Sequence, residues 1–188
     1  MNDKLLKARW KVQSEHAYEC FPIFTPKRSE RINPRSGKIH AFFLIDGLDW
    51  ANIIALTPKN EVVLVRQYRH GGDVMTTELP GGCVEKNEDP GASAQRELSE
   101  ETGYSCSSIT HLGTLFPNPA LMSIRQSVYI GRDAVCSGGQ ELDPGEDIEV
   151  LTVPLSEALA MVRRGEIAHA LMVAAFGLLT LNHPELTK

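Results

Sequence analysis

Residues Gly82–Tyr104 read GCVEKNEDPGASAQRELSEETGY. Pro90 fits the first turn of a helix, where its missing N–H is no loss, so a helix over Pro90–Thr102 is expected. On it Glu97 and Glu101 stand four apart and Glu97 and Glu100 three apart, which stacks carboxylates on one face. Like charges so placed repel by about 0.2–0.5 kcal/mol per pair, and by more when partly desolvated. Lysines would relieve an ordinary acidic face, and residues 90–102 contain none. A divalent cation is the expected counter-charge.

The donor types narrow the choice of ion. Carboxylate and carbonyl oxygens without His or Cys suit Mg²⁺ or Mn²⁺, which keep several waters and bridge to phosphate oxygens. Pro80-Gly81-Gly82 supplies a turn through which a backbone carbonyl or amide can reach the ion or a phosphate. Arg96 is placed to hold Glu88 across the loop, fixing loop against helix.

The spacing G-x5-E-x7-R-E-U-x-E-E-x-G-U, with U a bulky aliphatic or aromatic residue, is met by Gly82, Glu88, Arg96, Glu97, Leu98, Glu100, Glu101, Gly103 and Tyr104. Nine fixed positions in twenty-three residues form a specific motif. It resembles the Nudix box of hydrolases that cleave nucleoside diphosphates linked to another group. The resemblance implies an α/β fold, an α/β/α sandwich around a mixed sheet. It also implies metal held by Glu97, Glu100 and Glu101 with help from the Gly81 carbonyl.

The remaining composition excludes several classes. The chain has 188 residues, 24 Asp and Glu against 19 Lys and Arg, and a net charge of −5, which recommends no nucleic-acid groove. Cys20, Cys83, Cys106 and Cys136 are widely spaced, so neither a zinc site nor a disulfide framework is indicated, and free, reduced, partly buried thiols are expected. MNDKLLKARW is too polar for a secretory leader, and no apolar run reaches the ~18 residues of a membrane span. A cytoplasmic protein is expected.

Residues 1–47 read as short strands at Trp10–Val12, Tyr18–Phe24 and His40–Leu44, separated by the basic, turn-rich KRSERINPRSGK. So small a β segment needs cover from the main domain or a second chain. Members resembling ADP-ribose pyrophosphatases exchange such a piece across a homodimer, and that resemblance implies a homodimer here, with a folded-back monomer as the alternative. Residues 48–188 form the expected catalytic domain. Ala51–Leu56 and Val62–Gln67 read as a hairpin at the sheet edge, turned by Pro58-Lys59-Asn60, and Met75–Leu79 as a strand leading into the glycine turn. In the second strand Arg66 and Tyr68 face one way and Gln67 and Arg69 the other. The Arg66, Tyr68 and Arg69 cluster is suited to a diphosphate or a base.

Beyond the box, Ile109–Phe116 and Ser127–Ile130 read as strands around PNPALMSIRQ. A proline fifteen residues past the box, here Pro119, resembles the pocket loop of the ADP-ribose branch and implies substrate roles for Pro119, Ser123 and Arg125. That branch places its general base in the acidic loop before Ile148–Val153, which makes Glu146 first choice and Glu141 second. Pro144 departs from the acidic residue often found there. Helices are expected at Glu157–Arg164, with Ser156 as N-cap and Gly165 as stop, and at Ala168–Leu181. His169 reads as a cap-region residue. His169-Ala170-Leu171 stands where some nucleotide-sugar hydrolases carry Asp-x-Lys. The implied substrate is ADP-ribose or a related nucleoside diphosphate sugar. Other nucleotides, such as GDP-mannose, a dinucleoside polyphosphate or NADH, and a non-enzymatic ADP-ribose sensor remain open.

Overall fold

The structure, a computed structural model, describes residues 10–19 and 21–186. The chain divides into two compact units: Met1–Leu48 with Phe116–Ile124, and Asp49–Leu115 with Arg125–Lys188. In the first, β1 (Lys11–Ala17), β2 (Phe24–Ile32) and β3 (Ile39–Gly47) form an antiparallel sheet in that order. Here the expectation needs correction. Of the strand expected at Tyr18–Phe24 only Phe24 belongs to one, as the start of β2; residues 18–19 and 21–23 are a connection with the Phe21 amide on the Phe24 carbonyl (3.0 Å), Cys20 lies outside the described residues, and the basic segment continues β2 to Ile32 before turning. Charged residues occupy both faces of β2 and hide its alternation, but they are paired: Lys27 with Asp46 at 2.5 Å and Arg28 with Glu30 at 2.8 Å. The turn itself is an Asx turn, Asn33 Oδ1 accepting from the Arg35 and Ser36 amides. Phe116–Ile124 joins this unit through Ile45 N–H on the Leu121 carbonyl (2.8 Å) and Ser123 N–H on the Ile45 carbonyl (3.0 Å).

The second unit is the sandwich. β4 (Trp50–Ala55) lies between β7 (Gly81–Cys83) and β10 (Gln126–Arg132), with β9 (Ser108–Leu115) outside β10; β4 and β10 are parallel and the other pairs antiparallel. β5 (Glu61–Arg69) lies between β12 (Ile148–Pro154) and β6 (Val74–Glu78), and β8 (Tyr104–Ser105) pairs β11 (Val135–Cys136). Neither β4 nor β5 is an edge strand, contrary to the hairpin expectation. Their apolar runs, interrupted in β4 only by the buried Asn52, are those of strands covered on both faces. Ala51, Ile53, Ala55 and Val63 pack with Ala94 and Leu98 of α1 (Pro90–Thr102). The alternate residues Ile54, Leu56, Val62 and Leu64 pack with Leu155, Ala158 and Met161 of α2 (Leu155–Arg164) and with Met172, Phe176 and Leu179 of α3 (Ala170–Asn182). Period-two alternation thus feeds two cores from one strand.

α2 starts at Leu155, earlier than expected. Pro154 is its cap and Ser156 lies inside the first turn, because the buried Leu155 anchors the helix and its amide reaches the Asn60 carbonyl at 3.0 Å. α3 starts at Ala170, and His169 caps it, Nδ1 accepting from the Leu171 amide at 3.2 Å. Cys83, Cys106 and Cys136 are free thiols; Cys20 lies outside the described residues. Among the described residues no helix is long and apolar enough to cross a membrane.

Candidate active site

α1 is fixed at both ends by its own sequence. Asp89 accepts from the Gly91 and Ala92 amides at 2.9 and 3.1 Å, and Gly103, at φ +71°, closes the C-terminus with its N–H on the Ser99 carbonyl. Ala94 and Leu98 are buried, and Glu101, on the bordering row, is 4% exposed. The acidic face therefore meets the core.

Arg96 organises the carboxylates. Its Nε donates to Glu88 Oε1 at 3.0 Å and its Nη2 to Glu88 Oε2 at 3.2 Å; Nη1 donates to Glu97 Oε1 at 3.0 Å and to Glu100 Oε2 at 2.8 Å. Nη2 also reaches the Cys83 carbonyl and Ser93 Oγ, each at 3.3 Å, so one side chain ties the loop to the helix. The expected brace between Arg96 and Glu88 is present. One guanidinium nevertheless faces three carboxylates, and the cluster stays negative.

Glu101 takes a different partner, accepting the Gly81 amide on Oε2 at 2.9 Å. The resemblance assigned the Gly81 carbonyl to an ion; the amide is what the fold uses here. Burial pushes the Glu101 carboxyl up to about 8, against the pull of the Gly81 amide and with the charges of Glu97 and Glu146 adding to the rise. Burial likewise raises Glu97, with the Arg96 charge opposing. Glycine is required at Gly81, whose φ is +149° and where a Cβ would stand 2.1 Å from the Ala51 carbonyl oxygen; a Cβ on Gly82 would stand 2.6 Å from Glu97 Oε1 and displace that carboxylate.

Among the described residues no three or more His, Cys, Asp or Glu side chains already converge as ligands of one ion, since Arg96 and Gly81 hold the carboxylates separately. The donor set itself fits a hard divalent cation: oxygens only, excess negative charge, and a carboxyl that burial and its acidic neighbours hold far above its ordinary range.

The loop before β12 is clipped to the end of α1. Gln140 Nε2 donates to the Glu101 carbonyl at 2.7 Å and the Ile148 carbonyl at 3.0 Å, and the Glu141 amide donates to the Glu100 carbonyl at 2.8 Å. Glu146 closes a turn by accepting the Asp143 amide at 3.0 Å, and its charge reaches Glu97 and Glu101.

The residues expected at the substrate are placed less uniformly. Arg66 pairs with Glu149 at 3.1 Å, and the Tyr68 hydroxyl bonds Asp73. Arg69 turns the other way, as alternation requires, and grips Glu78 through two bonds of 2.7 Å; Glu78 is 2% exposed. Arg125 forks onto Asp49 at 2.9 and 2.6 Å, its amide on the same carboxylate at 2.8 Å. Ser123 bonds Asp46 and, with Pro119, belongs to the first unit. Sequence reasoning missed Glu78, Asp49 and Gln140. Only Glu78 carried a signal, a lone acid at the end of an apolar strand, three residues before Gly81.

An α/β/α sandwich with this carboxylate helix after a glycine turn defines a hydrolase of the pyrophosphate-cleaving type. The chain belongs to the Nudix family, whose NUDIX domain matches residues 49–176. It is 32% identical to the ADP-ribose pyrophosphatase of Bacillus subtilis over 131 residues, 69% of this chain and 71% of that protein. It is 33% identical to the GDP-mannose pyrophosphatase of Salmonella arizonae over 162 residues, 79% of this chain and 83% of that protein. The crystal structure of an ADP compounds hydrolase superposes with a TM-score of 0.82 at 18% identity, covering 94% of this chain and 95% of that one.

Proposed function

We propose that this chain is a Mg²⁺- or Mn²⁺-dependent pyrophosphohydrolase that splits ADP-ribose, or a related nucleoside diphosphate sugar, into two monophosphates. Glu101 carries the proposal: a buried carboxyl crowded by Glu97 and Glu146 gains from a cation and from little else. Glu97, Glu100 and Glu101 hold that cation, with the Gly81 turn presenting backbone beside it. When bound, it neutralises the pyrophosphate oxygens and acidifies the attacking water. Glu146 receives a proton from that water on its carboxylate while the water oxygen bonds to phosphorus and the bridging P–O bond breaks. Arg96 and Glu88 keep the loop and helix aligned. Arg66 and Arg125 are assigned to the diphosphate and Tyr68 to the base, whereas Pro119 and Ser123 rest on the resemblance alone.

The 33% identity to a GDP-mannose pyrophosphatase supports GDP-mannose as the second substrate to test. Exposed Ile23, Ile39, Phe42 and Phe43 on the first unit support a homodimer, which light scattering on the eluted protein would measure. Free thiols support a reducing, cytoplasmic setting. The primary assay is turnover of ADP-ribose, GDP-mannose, UDP-glucose, NADH and diadenosine polyphosphates with Mg²⁺ or Mn²⁺, adding phosphatase afterwards to count monophosphates. Fastest release from ADP-ribose is expected. Tight binding of one compound with no turnover would replace the enzyme by a sensor.

A further inference from the structure

Beside the carboxylates runs a second, uncharged set of contacts. Gln126, wholly buried at the start of β10, donates from Nε2 to Asn52 Oδ1 at 2.8 Å. Asn52, buried on β4, donates from Nδ2 to the Leu79 and Pro80 carbonyls at 3.3 and 3.4 Å. The Ile53 amide adds a bond of 3.1 Å to the Pro80 carbonyl. The next residue is Gly81, whose amide holds Glu101, and a Cβ there would lie 2.5 Å from Asn52 Nδ2. Two carbonyls can be met only by the NH₂ end of Asn52, and Gln126 occupies the other end, so the amide has one usable orientation. No protein donor among the described residues reaches Gln126 Oε1. An apolar side chain of the same length would remove the unpaired Oε1 but leave the buried Asn52 Oδ1 without its donor, at a cost in stability, so the glutamine serves Asn52.

We propose that Gln126 and Asn52 are positioning residues, a buried amide relay that fixes the Leu79-Pro80-Gly81 backbone and through it the carboxylate of Glu101. The inference rests on the metal-site reading above. It predicts a local effect that an ordinary packing role would not give: the turn loosens more than the rest of the fold.

The test uses the whole protein with Q126M, N52L, the double variant and E101Q. Q126M conserves length and folds if any of them does. Metal-free hydrogen exchange over residues 79–83 is expected to quicken in Q126M about tenfold or more beyond the change in the other core strands, and Mn²⁺ affinity, read by electron paramagnetic resonance without substrate, to fall about tenfold. The double variant should equal N52L alone, since Gln126 acts through Asn52. Wild-type exchange and Mn²⁺ affinity in Q126M, with affinity lost in E101Q, would overturn the relay and leave the metal site standing. Undiminished Mn²⁺ affinity in E101Q would overturn the metal-site reading and this inference with it.

Discussion

Replacing Glu101 by glutamine should make the metal-free protein more stable and the enzyme nearly inactive. The substituted amide keeps an oxygen for the Gly81 amide and the shape of the side chain but cannot ionise. In the wild type the carboxyl rises from an ordinary 4.5 to about 8 on folding. A carboxyl so raised leaves the fold unpenalised below its unfolded value and weakens it progressively as pH climbs from 4.5 towards 8. At pH 7 the penalty reaches about 3 kcal/mol, which for a chain of this size is roughly 6–12 °C in Tm. Thermal melts of both proteins in EDTA, from pH 5 to pH 8, measure it. The two curves should lie within about 1 kcal/mol of each other at pH 5 and separate by about 3 kcal/mol at pH 7, the variant melting higher; Mg²⁺ should then raise the wild type and leave the variant unmoved. Turnover of the variant should drop by orders of magnitude. A variant that melts below the wild type at pH 7, or whose offset does not vary with pH, would refute the assignment of Glu101 as a buried carboxyl awaiting a cation.

Glu146→Gln should lower kcat about 10²–10⁴-fold, with Glu141→Gln close to wild type, in the same monophosphate-release assay. Gly82→Ala forces a Cβ towards Glu97 Oε1 and should weaken Mn²⁺ binding about tenfold, read by titration. Arg69→Ala leaves Glu78 buried and uncompensated and should cost about 3 kcal/mol in urea unfolding. Arg125→Ala should raise KM with Tm nearly unchanged.

Much of the site was legible because helical spacing is local. Glu88, Arg96, Glu97, Glu100 and Glu101 fall within fourteen residues, so one helix and one loop suffice to bring them together. The apolar runs of β4 and β5 were legible for the same reason, though not their central place, which is set by partners far along the chain. The relay from Gln126 to Asn52 spans 74 residues and the fork from Arg125 to Asp49 spans 76. Neither pair has any periodicity to announce it. β2 stayed hidden for a third reason: its charges are paired, Lys27 across to Asp46 of β3 and Arg28 along the strand to Glu30, so a sequence that looks like a solvated turn is a paired strand.

These partners also decide which arginine is free to meet a diphosphate. Arg66 and Arg125, with side chains 43% and 59% exposed, hold acids that are 65% and 28% exposed, and pairs open to water are worth about 0–1 kcal/mol and yield readily to a more highly charged phosphate. Arg69 holds an acid that is 2% exposed and also bonded by Thr76 at 2.5 Å, and releasing it would strand a buried charge at a cost of about 3–5 kcal/mol. No single phosphate contact repays that. The arginine of the RQYR segment that grips buried Glu78 therefore belongs to the scaffold: it anchors the strand that leads into Gly81, and its charge, felt at Glu101, is a fixed part of the field in which the carboxylates work.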